Sequence, residues 1–220
     1  MNSASGSDGV VPTPPAPPAP DSRDRSRPVT PLKIVVAGAF GVGKTTFVGA
    51  SSDITPLTTE EVMTAPSEGV DDLSALPDKR TTTVAMDFGR LDLDDDLVLY
   101  LFGTPGQYRF WFMWDQLVHG AVGAVVLVDT RRLIDSFPVL DYFERSGLPV
   151  VVGVNGFDGR FPYTEAQIRE ALALAPDRPI VQCDARDRTS ATRTLVTVVE
   201  LALAGRAGAG STPARDGARG

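Results

Sequence analysis

Residues 38–45 read Gly-Ala-Phe-Gly-Val-Gly-Lys-Thr, a full match to G-x-x-x-x-G-K-[ST]. Gly38, Gly41 and Gly43 let backbone N–H groups turn inward around phosphate oxygens. A helix starting at Lys44 presents its positive N-terminus to the same place. The amides of Phe40, Val42 and Thr46 belong to the same cradle. Lys44 adds a point charge for the outer phosphates, and the Thr45 hydroxyl a ligand for Mg²⁺. Lysine is scarce, with three residues against eighteen arginines, and one of the three falls where the motif requires it.

Three further turns, and a supporting one at residues 183–186, could complete such a site. The first is Asn155-Gly-Phe-Asp158, after an apolar run. A carboxylate there accepts two hydrogen bonds from guanine N1–H and its exocyclic amine, a donor pair that adenine lacks. Cys183-Asp184-Ala185-Arg186 closes the last apolar run and could offer the Ala185 N–H to the base. The second turn is Thr81-Thr82-Thr83, where the Thr83 hydroxyl could complete Mg²⁺ coordination. The third is Phe102-Gly103-Thr104-Pro105-Gly106-Gln107, where the Gly106 N–H could contact the terminal phosphate and Gln107 orient an attacking water.

These turns need a scaffold. Apolar, β-branched runs at 32–37, 84–91, 97–102, 121–128, 150–154 and 180–183 read as strands, the second and third joined by an acidic hairpin turn around residues 92–96. Helical periodicity fits 44 onward, 108–118, 132–145, 164–174 and 189–204. Alternating strands and helices imply an α/β fold, a mostly parallel sheet with helices on both faces and ligands at the carboxyl ends of the strands. Residues 1–31 are proline-rich and read as a disordered arm. Residues 32–204 form the folded domain, and 205–220 read as a disordered tail.

A net charge of −7 argues against a nucleic-acid partner. No apolar run is long enough for an integral membrane segment. The single cysteine, Cys183, excludes an internal disulfide and reads as a buried small side chain. The single histidine, His119, excludes a multi-histidine metal site and sits at a helix end. These features lead us to expect a soluble, cytoplasmic protein. In the aromatic run, Phe110, Met113, Trp114 and Leu117 share one helical stripe. Trp111 and Phe112 fall off it, either covered by loops or forming a patch for a partner.

The ordered set of motifs resembles Ras-superfamily small GTPases, and most closely the MglA-like branch with the actinobacterial conservon GTP-binding proteins. The residues that carry the resemblance are 38–45, 81–88, 104–107 with the aromatic run to Trp114, and Asn155, Asp158 and 183–186. The resemblance implies a P-loop NTPase fold with a six-stranded sheet and five helices. It implies GTP/GDP and Mg²⁺ as ligands, nucleotide-dependent switching and slow hydrolysis of GTP to GDP and phosphate. It also implies a Roadblock-type regulator and a histidine-kinase-like sensor as partners in bacterial signalling, with membrane recruitment through them.

Four departures stand out. Gly103 replaces an Asp that orients Mg²⁺-bound water, so that ligand is missing here, Mg²⁺ is expected to bind weakly, and Gly103→Asp is expected to tighten it. Gly156 replaces a Lys that packs over the phosphate loop and ribose. Phe40 replaces a small residue. The segment between Lys44 and Thr83 is long and acidic. Gly103 and Phe40 favour a rival reading, a nucleotide-binding scaffold that does not hydrolyse. Gln107 favours the enzyme. A P-loop kinase or ATPase would leave Asp158 unexplained.

Overall fold

A computed structural model describes residues 28–64 and 81–209. The expected arm lies outside the described residues up to position 27, as do residues 210–220 of the expected tail. The expected alternation is present. The strands are β1 (Thr30–Gly38), β2 (Leu57–Thr64), β3 (Thr81–Asp94), β4 (Leu97–Gly103), β5 (Gly123–Val128), β6 (Val150–Asn155) and β7 (Ile180–Cys183). The α-helices are α1 (Lys44–Ser51), α2 (Trp114–Val118), α3 (Phe137–Ser146), α4 (Glu165–Ala171) and α5 (Arg188–Ala209). Strand order is β2-β3-β4-β1-β5-β6-β7. β1 pairs in parallel with both β4 and β5, and β6 and β7 continue the parallel half.

Strand alternation divides the core. Ile34, Val36, Leu101, Val125 and Leu127 pack under α1 and α5 with Phe47 and Leu195. Val35, Ala37, Val126 and Val152 point the other way, onto Trp114, Phe143 and Ile168. Both faces are covered, which is why these strands are apolar throughout. The connection out of β1 is where the chain first leaves the sheet centre, β4 lying on one side and β5 on the other. Crevices in α/β sheets open at such a point.

The sheet adds a seventh strand to the six expected. β2 lies in the long segment between Lys44 and Thr83, where no strand was expected, and pairs antiparallel with β3, Leu57 opposite Phe88 and Thr64 opposite Thr81. Its β-branched residues suit a strand, and the pairing covers what would otherwise be an open edge of β3. The expected helix over 108–118 is instead a 3₁₀ turn, Tyr108–Met113, followed by α2. Residues three apart eclipse in that geometry, which stacks Trp111 on Trp114 with ring centroids 4.7 Å apart. Trp111 is thereby half-buried and only Phe112 stands out, 59% exposed. The helix expected from 132 opens as a 3₁₀ turn, Leu133–Ser136, and becomes α-helical at Phe137. Pro138 favours that first turn because it has no N–H to leave unpaired.

His119 is the C-cap residue of α2. Lys33, from β1, donates from Nζ to the carbonyls of Gln116 and His119, satisfying two acceptors at that helix end. Cys183 is fully buried, and burial pushes its thiol pKa up, in keeping with a packing role.

Candidate functional site

Residues 38–45 form the turn from β1 into α1, as the motif requires. Gly38 lies against β5 so closely that a Cβ would meet Leu127 O at 2.6 Å and Val42 Cγ1 at 2.7 Å. Gly43, the N-cap of α1, has φ 105°, which a side chain would strain. It caps α1 without a side-chain hydrogen bond, so no cap side chain occupies the first-turn amides. Lys44 Nζ donates to Gly38 O (3.0 Å) and Ala39 O (2.8 Å). Burial pushes the Lys44 pKa down to about 8, partly offset by the nearby Asp87 carboxylate.

The turn after β4 presses on this loop. A Cβ at Gly106 would lie 2.7 Å from Lys44 Nζ and 3.1 Å from Phe40 N. Gly106 thus leaves room for the lysine head group that a side chain there would displace. Gln107 lines a cavity of about 200 Å³ together with Phe40, Trp111, Arg132 and Asp135. Phe40 is 67% exposed on its rim. The Thr104 hydroxyl is buried and has no hydrogen-bond partner among the described residues.

The Mg²⁺ region differs from expectation. A carboxylate does stand beside the place of Gly103, that of Asp87. β3 and β4 pair with Asp87 opposite Gly103. A Cβ on Gly103 would lie 3.0 Å from Asp87 Cβ and 3.1 Å from its Oδ2. Thr45 Oγ1 donates to the same Oδ2 at 2.7 Å. Asp87 is 7% exposed. Thr83, the other expected metal ligand, sits four residues earlier on β3, opposite Val62, and its side chain lies outside the described residues. A threonine hydroxyl and a buried carboxylate are hard oxygen donors of the kind Mg²⁺ takes, with waters completing its shell. These residues fit the ion.

Asn155 is a brace rather than a direct ligand contact. It is 6% exposed, its Nδ2 donates to Val42 O (2.9 Å), and its Oδ1 accepts from Ala185 N–H (3.1 Å). That bond corrects the expectation for Ala185, whose N–H is spent inside the protein because Asn155 needs an acceptor partner once buried. The next amide, Arg186 N–H, closes an Asx turn on Asp184. Asp158 adopts φ 58° in a 3₁₀ turn, Phe157–Gly159, its side chain 84% exposed with Arg186 Nη1 at 3.4 Å. Arg131, in the turn after β5, pairs with Asp129, which holds that carboxyl below its usual range. Its guanidinium also lies 3.6 Å over the Phe157 ring. Sequence reasoning gave Asp87 no role, nor did it foresee Arg131 beside Phe157 or Arg132 in the cavity wall. Asp87 alone carried a signal, sharing with Thr83 one face of a strand.

Residues 36–205 match the family described as "Conserved hypothetical ATP binding protein". The chain belongs to that family. A relative, the uncharacterized protein MJ1339 of Methanocaldococcus jannaschii, is 28% identical over 129 residues, 58% of this chain and 71% of that one. Among solved structures, the chain is similar to the G domain of the T. maritima FeoB iron transporter, with TM-score 0.55 and 15% identity over 79% of this chain and 99% of that domain. It is also similar to the cytosolic domain of that transporter in a GDP form, with TM-score 0.57 and 17% identity, over 80% of this chain and 64% of that one. At such identity the likeness is one of fold. The fold of this family member is that of a P-loop GTPase G domain. Among the described residues no helix is long and apolar enough to cross a membrane.

Proposed function

We propose that this chain is a guanine-nucleotide switch that binds GTP and GDP with Mg²⁺ and hydrolyses GTP slowly. The observation that carries the reading is the Asn155 bridge. One buried side chain ties Val42 of the phosphate loop to the turn at Ala185, and the next turn places Asp158. Phosphate cradle and base-reading turn are thus braced by one buried side chain. The fold neighbour described in a GDP form is consistent with it.

Each residue has a part. Lys44 leaves two carbonyls for the phosphates, and the amides that begin α1 face the same charge. Thr45 and Asp87 hold Mg²⁺, with Thr83 joining from β3. When bound, Mg²⁺ neutralises charge on the phosphate oxygens. Gly106 meets the terminal phosphate, and Gln107 orients water. The motif resemblance extends the proposal to the MglA-like branch. With it come cytoplasmic signalling, a Roadblock-type regulator and a histidine-kinase-like sensor that recruits the chain to the membrane.

A second reading, an adenine-nucleotide protein, is favoured by the family's description and by Arg186 beside Asp158. Denaturing freshly purified protein and identifying the released nucleotide separates the two. GDP or GTP is expected. ADP or ATP would establish the second reading.

The Lys44 pKa adds a pH prediction. Free Lys44 is half-deprotonated near pH 8, and a bound polyphosphate raises that pKa. Binding therefore takes up protons. Affinity for GTP should be constant well below pH 8 and fall above it, by at most about tenfold per pH unit. Titrations between pH 7 and 9 check this, and Lys44→Arg, always charged, should flatten the profile.

A further inference from the structure

The glycine at 156 is not there for its backbone. Gly156 has φ −83° and ψ 92°, which any residue adopts. Space is what it provides. A Cβ at this position would lie 2.4 Å from Phe161 Cζ, 2.5 Å from Cε1 and 2.9 Å from Cε2. The far edge of the Phe161 ring therefore stands directly over Gly156, where a side chain would otherwise begin.

That place matters because of the two residues that flank it, one before and one two positions after. Asn155 on one side is tied to the phosphate loop through Val42 O. Asp158 on the other side, in its left-handed turn, presents the exposed carboxylate. A ligand reaching from the phosphate loop to Asp158 must pass Gly156 with its sugar and the inner part of its base. Both are flat or weakly polar faces that need an apolar wall. The other ring of this loop, Phe157, is already covered by the Arg131 guanidinium. Phe161 is only half-buried.

We infer that Phe161 is a nucleotide-contacting residue, its ring forming the wall against the ribose and adjoining base face in place of a lysine stem. The inference rests on the guanine-nucleotide reading above and assigns a binding role that the motifs do not carry. It explains the glycine: a lysine at 156 and a phenylalanine at 161 would claim the same volume, so this chain keeps one of them. Base–aromatic contacts removed by alanine substitution weaken binding by roughly 10–100-fold, which sets the scale expected here.

The test is equilibrium binding of GDP to the full chain and to Phe161→Ala, Phe161→Trp, Gly156→Lys and the double variant Gly156→Lys with Phe161→Ala. Thermal melts without nucleotide report folding. Phe161→Ala should weaken GDP at least about tenfold and leave the melting temperature of the nucleotide-free protein much less affected. Phe161→Trp should keep the affinity and add a nucleotide-dependent change in indole emission over the parent's. Gly156→Lys alone should weaken binding, and removing the ring should restore it. Parental affinity in Phe161→Ala, or losses in the two single variants that simply add in the double, would overturn the assignment. Should Phe161→Ala fail to fold, the absence of any added indole signal in Phe161→Trp would overturn it instead. A parent that binds no guanine nucleotide defeats the underlying reading, a failure visible before any variant is compared.

Discussion

Asp87→Ala is expected to weaken Mg²⁺-supported GTP binding by about 10–100-fold, while affinity measured in chelator stays near that of the parent. The carboxylate is buried, accepts the Thr45 hydroxyl, and occupies the space above Gly103. Its removal takes a fixed acceptor from the water shell of the ion but leaves Lys44 and the loop amides in place. Gly103→Asp has the opposite sign from the sequence expectation. Its backbone is not in the left-handed region, so strain is no obstacle. The new carboxylate would be forced against Asp87, and two like charges in one site disfavour each other. Gly103→Asp should therefore lose Mg²⁺ affinity alone and regain it when combined with Asp87→Gly, which moves the carboxylate back across the hairpin. Mg²⁺ titrations of GDP dissociation rates check all three variants. An Asp87→Ala protein with the parent's Mg²⁺ dependence would return the metal site to Thr45 and Thr83 alone.

Asp158→Asn should lose guanine preference by about 100-fold and gain xanthine nucleotides. Hydrogen bonds to a charged group contribute about 1.5–3 kcal/mol each, and the carboxylate accepts two from guanine. The lower end applies because the free side chain is 84% exposed and already solvated. Asparagine is the right replacement because it tolerates the φ of 58° that alanine would strain. Arg186 competes only weakly, at 3.4 Å and in solvent. Competition titrations with GTP, XTP and ATP give the ratios. Unchanged ratios would remove Asp158 from base recognition.

The parts of the site that were legible in the sequence are contiguous ones. The phosphate loop lies within eight residues, and its neighbours, β1 and α1, announce themselves by composition. Asn155 and Asp158 follow directly from an apolar strand, and the acidic run at the β3–β4 turn closes a hairpin as expected. What escaped depends on register and long-range approach. A plain two-residue hairpin closed at Asp94 and Leu97 would place Phe88, not Asp87, opposite Gly103. An irregularity between Asp92 and Asp94 shifts the pairing by one residue and brings the acid across. Nothing in the local sequence sets that bulge. Phe161 was missed for a similar reason, since its position over Gly156 is fixed by how the loop returns. β2 escaped because its polar, threonine-rich residues read as loop until β3 gives them an edge to pair with. Ala185 was placed correctly in the turn but its amide was assigned outward, because the buried Asn155 that claims it comes from another strand.

The most direct test of the guanine-nucleotide reading is displacement of a fluorescent GDP from the Mg²⁺-loaded full chain by unlabelled GTP and ATP. Because only guanine supplies the donor pair that Asp158 accepts, GTP should compete at least about 100-fold more strongly than ATP. Equal competition by the two would contradict the account and leave an adenine-tolerant P-loop protein in its place.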